Sequence, residues 1–388
     1  MRDDTRRLQH LNGLRGIAAL IVVVFHYLSA FVPELTPDQT ANPYWLADTP
    51  LAVLFNGLFA VIVFFVLSGF VVSKSAHSSS PLPFKIVLRY LRLTIPMLVS
   101  VLIAWLLLTM FPIEATKLAS ITGTPWLTRT FNGEIPSLSQ ALRDSTYEVY
   151  LHGFSRFNNA IWTMRWELIG SVAIYMVYAF IPRAAYISAA FIAVFFLLLW
   201  KGPPYYYEAF VFGALMQEAW THKKLRSVAP TFALIVGLII GSQSVGFSHR
   251  QGFDFLPWML RPGETEGMIY PIAAALVLYG CLMSVPVSRL LQLSPVLFLG
   301  RISFGMYLIH VPVLYTVVMA VAVLLWPMSP ITLSIGLVLF AALSFSLGWL
   351  MTLAVDEPAL RLLSSIRKLT IRPVREPSSN SPNLTLNS

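Results

Sequence analysis

Residues 11–32 read LNGLRGIAALIVVVFHYLSAFV. About 20 apolar residues cross the roughly 30 Å hydrocarbon core of a bilayer, so this run is long enough to span one. Two ionisable residues interrupt it, Arg15 and His26. Eleven steps of 100° make three turns plus about 20°, so on a helix both side chains share one face, about 16 Å apart along the axis. An arginine at the centre of a span costs roughly 2.5–3.5 kcal/mol on translocon scales, so such residues usually face a polar interior and work there. The stretch predicts a membrane helix that carries a functional stripe.

The rest of the chain agrees with that reading. Of its 388 residues 56% are apolar and 12% charged, against roughly 25% charged in soluble domains, and its mean hydropathy is +0.70. We expect an all-α, polytopic transmembrane bundle of about ten helices, with spans near 11–32, 51–73, 89–111, 160–181, 184–200, 204–220, 229–246, 269–285, 302–326 and 330–354. Residues 1–360 form one transmembrane domain, and 361–388 a basic, then Ser-, Asn- and Pro-rich, disordered cytoplasmic tail. Arg2, Arg6 and Arg7 before the first run resemble the start of a signal peptide, but the length of that run and its Arg–His pair argue against cleavage. Cys281 is the only cysteine, which excludes an intrachain disulfide.

The net charge of +9 does not point to nucleic acid, because the basic residues sit between apolar runs. With the N-terminus in the cytoplasm, 19 of the 27 Lys and Arg fall on the cytoplasmic side, as the positive-inside rule asks. An even number of spans returns the C-terminus to the same side. The partner read from composition is the lipid bilayer. Nothing in the sequence addresses oligomeric state. The long connection 112–159 is expected to cover an outer cavity or to serve as a plain connector, and 247–268 likewise.

Few ionisable residues lie well inside spans: His26, Arg165, Glu167 and His310. The fourth span runs inward, so Glu167 is expected at the depth of His26, where a carboxylate would fix the imidazole tautomer and raise its basicity. Local pairing of Glu167 with Arg165 or Arg156 is the plain alternative. At the cytoplasmic end of the third span, Arg89 and Arg92 share a helix face. Pro96 cannot donate to the carbonyl of Arg92, so the helix is expected to be strained or broken there. With Arg15, these forked guanidinium groups suit a polyanionic cytosolic ligand, although anchoring alone would also place them. Ser68 and Gly69 are small and read first as packing residues. Ser303, Tyr307 and His310, spaced by four and three, share a face of the ninth span.

Together these segments resemble the membrane-bound acyltransferase 3 family. The resemblance rests on Leu11 to Leu20 followed by His26, on FFVLSGF from Phe64, and on Arg89 and Arg92 with Pro96. It rests also on Trp162 to Glu167, Ser303 to His310, and Asp356-Glu357-Pro358. Three positions depart from the family pattern: one extra residue precedes Pro96, Met164 replaces a leucine, and Phe304 replaces a tyrosine. The resemblance implies an O-acyltransferase of about ten helices. Its donor would be cytosolic acetyl-CoA or another acyl-CoA, and its acceptor a hydroxyl of a cell-envelope or exported carbohydrate or a lipid-linked glycan. No metal is implied. His26 and Glu167 would be catalytic, and Arg15, Arg89 and Arg92 would hold the donor, with Ser68, Trp162, Ser303, Tyr307 and His310 as further site candidates. A bacterial inner (plasma) membrane is the expected location. Buried His, Glu and Arg also build proton relays, so a proton-coupled transporter or flippase is the competing class. Against it, the chain lacks halves with matching broken helices.

Overall fold

The computed structural model of the chain describes residues 8–35, 49–112, 114–122, 134–182, 186, 190, 205–242 and 266–370. Among these residues all regular structure is helical. The longer helices are α1 (Gln9–Phe31), α2 (Gly57–Ala76), α3 (Leu82–Met110), α4 (Thr163–Phe180), α5 (Tyr205–Thr221), α6 (Pro230–Gly241), α7 (Glu266–Met283), α8 (Ser294–Val313) and α9 (Pro330–Met351). Five stretches are long and apolar enough to cross a membrane: α1, α2, α3, α8 continued as Ser294–Leu325, and α9 continued as Pro330–Leu369. A sixth is added if α7 and the short helix Val285–Leu291, bent by 92°, count as one span. α4, α5 and α6 lie where the fourth, sixth and seventh spans are expected, but they fall short in length or apolarity. The fifth expected span, 184–200, lies almost wholly outside the described residues, as does the tail beyond Thr370.

Helices in lipid gain nothing from hydrophobic burial against one another, so small residues that allow close backbone approach decide which pairs form. α1 and α8 run in parallel and meet through glycine. A Cβ on Gly16 would strike the backbone of Gly300 and Leu299, and one on Gly300 would strike the backbone of Asn12. α2 and α5 meet in the same way, Gly69 against the backbone of Phe210 and Gly213 against the carbonyl of Val66. The packing reading of Gly69 therefore holds. Asn56 starts α2: its side-chain oxygen accepts the Phe59 N–H at 3.0 Å. Its amide donates to the Gly241 carbonyl and the Tyr270 hydroxyl, each at 2.9 Å, which ties α2 to α6 and α7.

Two expectations need correction. α3 is one continuous helix of 29 residues with Pro96 inside it, neither broken nor ended there. Membrane helices tolerate an internal proline because neighbouring helices hold the turn, and Pro96 is buried. The connection before α4 is more than a surface cover. A short helical piece at Leu138–Arg143 packs on α3, and one at Val149–His152 packs on α4. The Tyr90 hydroxyl donates to the Thr146 carbonyl at 2.9 Å, and Thr94 and Tyr150 share a 2.8 Å hydrogen bond. Gly153, at φ +66°, reverses the chain in the left-handed region. Asn158 then plugs into the bundle, its amide donating to the Leu308 carbonyl at 2.7 Å and to Ser100 Oγ at 3.2 Å. Within this connection burial pushes the Asp144 carboxyl up to about 6, against the hydrogen bond from Ser155 that favours its ionised form.

The consequence for the site is one of depth. Thr163, the first residue of α4, already touches Tyr307 in the middle of α8, with 2.8 Å between hydroxyls. α4 therefore starts inside the bundle, not at its surface.

Candidate functional site

Take the end of the bundle that carries Gln9, Ala76, Leu82 and Ser294 as the near end. In the lower half above it, α1, α2, α3, α4 and α8 surround a cavity of about 140 Å³. At about 30 Å³ per liquid water this is room for four or five waters. Arg15, Arg89 and Arg92 all line it, together with Ser68, Glu167, Ser303 and Tyr307.

The cations are not equivalent. Arg89 forms an ion pair with Glu167 and donates to Ser68 Oγ at 3.0 Å and to Ser171 Oγ at 2.9 Å. Ser68 in turn donates to the same carboxylate oxygen of Glu167. Arg92 grips Asp356 with both terminal nitrogens, the longer arm at 3.3 Å, and stacks over the Phe304 ring with 5.0 Å to its centroid. Among the described residues no carboxylate is in ion-pair contact with Arg15, although Glu167 and Asp356 both attract it from further off, so three cations face two carboxylates here. Asp356 is reached because the chain forms a π-helical turn at Thr352–Asp356 between α9 and the helix Glu357–Thr370.

Above the cavity the site changes character. Tyr307 is buried, and its hydroxyl donates to the Ala160 carbonyl at 2.7 Å and meets Thr163 at 2.8 Å. Phe64 stands edge-on to it at 6.0 Å. One turn further along α8 lies His310, fully buried. Its Nε2 is 2.9 Å from Nδ1 of His26, also buried. Each ring's Nδ1 also faces the carbonyl one turn earlier in its own helix, Val22 at 3.0 Å for His26 and Met306 at 3.1 Å for His310. The α1–α8 glycine contact sets the height of this pair: His26 lies ten residues beyond Gly16, and His310 ten beyond Gly300. Helices packed in parallel at the glycines bring these two positions level, and the rings meet there.

The family model for acyltransferase 3, described as an acyltransferase domain, matches residues 8–352. The chain belongs to the acyltransferase 3 family. With its apolar spans, it is an integral, multi-pass membrane acyltransferase. No curated relative and no solved structure matches it.

In this acyltransferase the sequence-expected residues separate into groups. Arg15, Arg89, Arg92, Ser68, Glu167, Ser303 and Tyr307 gather at one cavity. Ser303 lies on its wall with its hydroxyl turned to the Gly300 carbonyl at 2.8 Å. Ser68 does more than pack, since it bridges Arg89 and Glu167. Trp162 is set aside: its ring packs on Tyr206 at 5.2 Å, while its neighbours Thr163 and Met164 reach the cavity.

The expected pairing of Glu167 with His26 is not what the structure shows. Glu167 binds Arg89 and Ser68, and the ring beside His26 is His310. Nor does Glu167 pair with Arg165, which donates to the Tyr150 carbonyl at 3.2 Å. The depth argument failed because it set the fourth helix at the membrane surface. α4 begins at Tyr307, so Glu167, four residues on, lies a turn below Tyr307 and about two turns below the imidazoles. Nor does the cavity at the arginines include His26: neither histidine lines it, and Val61, Phe64 and Tyr307 are its lining residues towards them. Sequence reading missed Asp356 as a site residue. Its signals were a carboxylate that ends an apolar run and its place beside Glu357-Pro358, and its partner is 264 positions away.

Proposed function

We propose that this protein transfers an acetyl or other short acyl group from acyl-CoA to a hydroxyl of a cell-envelope or exported carbohydrate. The near end would face the cytosol of a bacterial cell, with the protein in its inner membrane and both termini inside. One observation carries this reading: three guanidinium groups converge on a cavity directly below a buried imidazole pair. Guanidinium forks suit phosphate oxygens, and a histidine suits general-base catalysis near neutral pH.

In this scheme Arg15, Arg89 and Arg92 hold the phosphates of coenzyme A. The pantetheine arm climbs towards His26, about 16 Å above Arg15 along α1. Phe64 and Tyr307 must turn aside to admit the thioester, which keeps water from it until the arm is in place. His26 then removes the proton of the acceptor hydroxyl, whose oxygen attacks the thioester carbonyl. The carbon–sulfur bond breaks and the coenzyme thiolate takes the proton. Glu167 acts at one remove, by holding Arg89 and Ser68 in place.

The test is labelled acetyl-CoA supplied to purified protein in membranes of the producing cells. His26→Ala should abolish labelling of acceptor while leaving abundance and thermal stability near wild type. Near-wild-type transfer by that variant would refute the assignment.

A further inference from the structure

We infer that His310 is a positioning residue for His26: it accepts the Nδ1 proton of His26 and so leaves Nε2 as the nitrogen that takes the acceptor's proton. This rests on the reading of His26 as the base. The assignment follows from what carbonyl oxygens can do, which is accept only. His310 Nδ1 faces the Met306 carbonyl at 3.1 Å, so that nitrogen carries a proton. In a neutral ring its Nε2 is then a lone pair. That lone pair lies 2.9 Å from His26 Nδ1, which must therefore bear a proton. The Val22 carbonyl, 3.0 Å from the same nitrogen, is a second acceptor that shares this single hydrogen and suits only a protonated Nδ1. Both constraints name the same tautomer, and a neutral His26 then holds its lone pair on Nε2.

The arrangement has a catalytic consequence. While His26 is neutral, its Nδ1–H donates an ordinary hydrogen bond to His310. When Nε2 takes the hydroxyl proton, the ring becomes an imidazolium and the same bond becomes charge-assisted. The contact thus strengthens as charge develops, and only such interactions accelerate the chemical step. Two imidazolium rings cannot share this contact, because both facing nitrogens would carry protons. The pair therefore holds one transferred proton and returns it through Nε2 to the leaving thiolate. His310 Nδ1 stays bonded to a main-chain carbonyl that cannot take a proton away, so there is no onward relay.

Two measurements on the full-length protein test this. Solid-state ¹⁵N spectra of histidine-labelled wild type, assigned by loss of signal in His26→Ala, should show His26 protonated at Nδ1 and bare at Nε2. The opposite tautomer overturns the proposal whatever the protein's activity. Kinetics with labelled acetyl-CoA and native membranes should show His310→Leu lowering kcat by about 100-fold, the low end of general-base effects, with KM for acetyl-CoA within about twofold. His310→Gln, whose amide oxygen can accept from Nδ1–H, should recover at least about tenfold of that loss. Wild-type kcat in His310→Leu, or no recovery in a folded His310→Gln, overturns the proposal while His26 stays the base. Loss of the His26→Ala phenotype would instead bring down the function on which it rests.

Discussion

Arg15, Arg89 and Arg92 look interchangeable as a basic triad, but their partners make them different experiments. Removing Arg92 leaves Asp356 without its fork in a largely buried place. Breaking a buried pair by deleting one partner costs about 3–5 kcal/mol, so Arg92→Ala should lose stability as well as donor affinity. Arg92→Ala with Asp356→Asn should regain the stability and still bind acyl-CoA weakly. Arg15→Gln removes a cation with no carboxylate to strand. It should raise KM for acetyl-CoA about tenfold, the value of one charge-assisted hydrogen bond, with an unchanged melting temperature. An equal loss of stability in both single variants would assign Arg15 and Arg92 to folding. The gathering of these arginines was legible, because helical spacing puts Arg89 and Arg92 on one face and Arg15 sits at the same end of its own helix. Their carboxylates were not: Asp356 lies in a π-turn that periodicity cannot reveal, and Glu167 hangs on a helix whose starting depth is set by Asn158, not by hydropathy.

At the scale of elements, the α1–α8 contact is both a packing joint and a ruler. Gly300→Val would press a branched side chain into the backbone of Asn12, and overpacking of that kind costs about 1–3 kcal/mol. Gly280→Val would meet a similar obstacle at Pro230 and Leu234, on the far side of the bundle between α7 and α6. The two variants should lose comparable thermal stability. Only Gly300→Val should also lower kcat, because it moves His310 against His26. Equal kcat per folded molecule would show that register at the glycines does not govern the imidazole pair. The sequence displayed the glycines but not their partner, since a small residue announces close approach without naming the helix that approaches. The same limit applies to α3. Proline chemistry alone argued for strain or a break at Pro96, and of the two the break did not occur.

Across the whole molecule, hydropathy was the most legible signal, because a bilayer leaves a spanning chain few options besides the helix. It was least informative where polar work is done: α4 carries Arg165 and Glu167, so at 18 residues it still lacks the apolarity of a plain span. The proposed orientation has its own test, helped by Cys281 being the sole cysteine and buried. In a Cys281→Ser background, Ser79→Cys at the near end and Ser329→Cys at the opposite end, both exposed, should react with an impermeant thiol reagent from opposite faces, Ser79→Cys from the cytosolic one. Reaction of both from a single face would undo the bundle's alternation. The carboxylates at the cavity carry one more implication. Glu167 and Asp356 already occupy two of the three arginines, so an incoming polyanion displaces fixed side chains more than it sheds mobile counterions. Affinity for the coenzyme should then fall only shallowly as ionic strength rises, and the same two carboxylates, by reclaiming their arginines, would help eject the deacylated coenzyme.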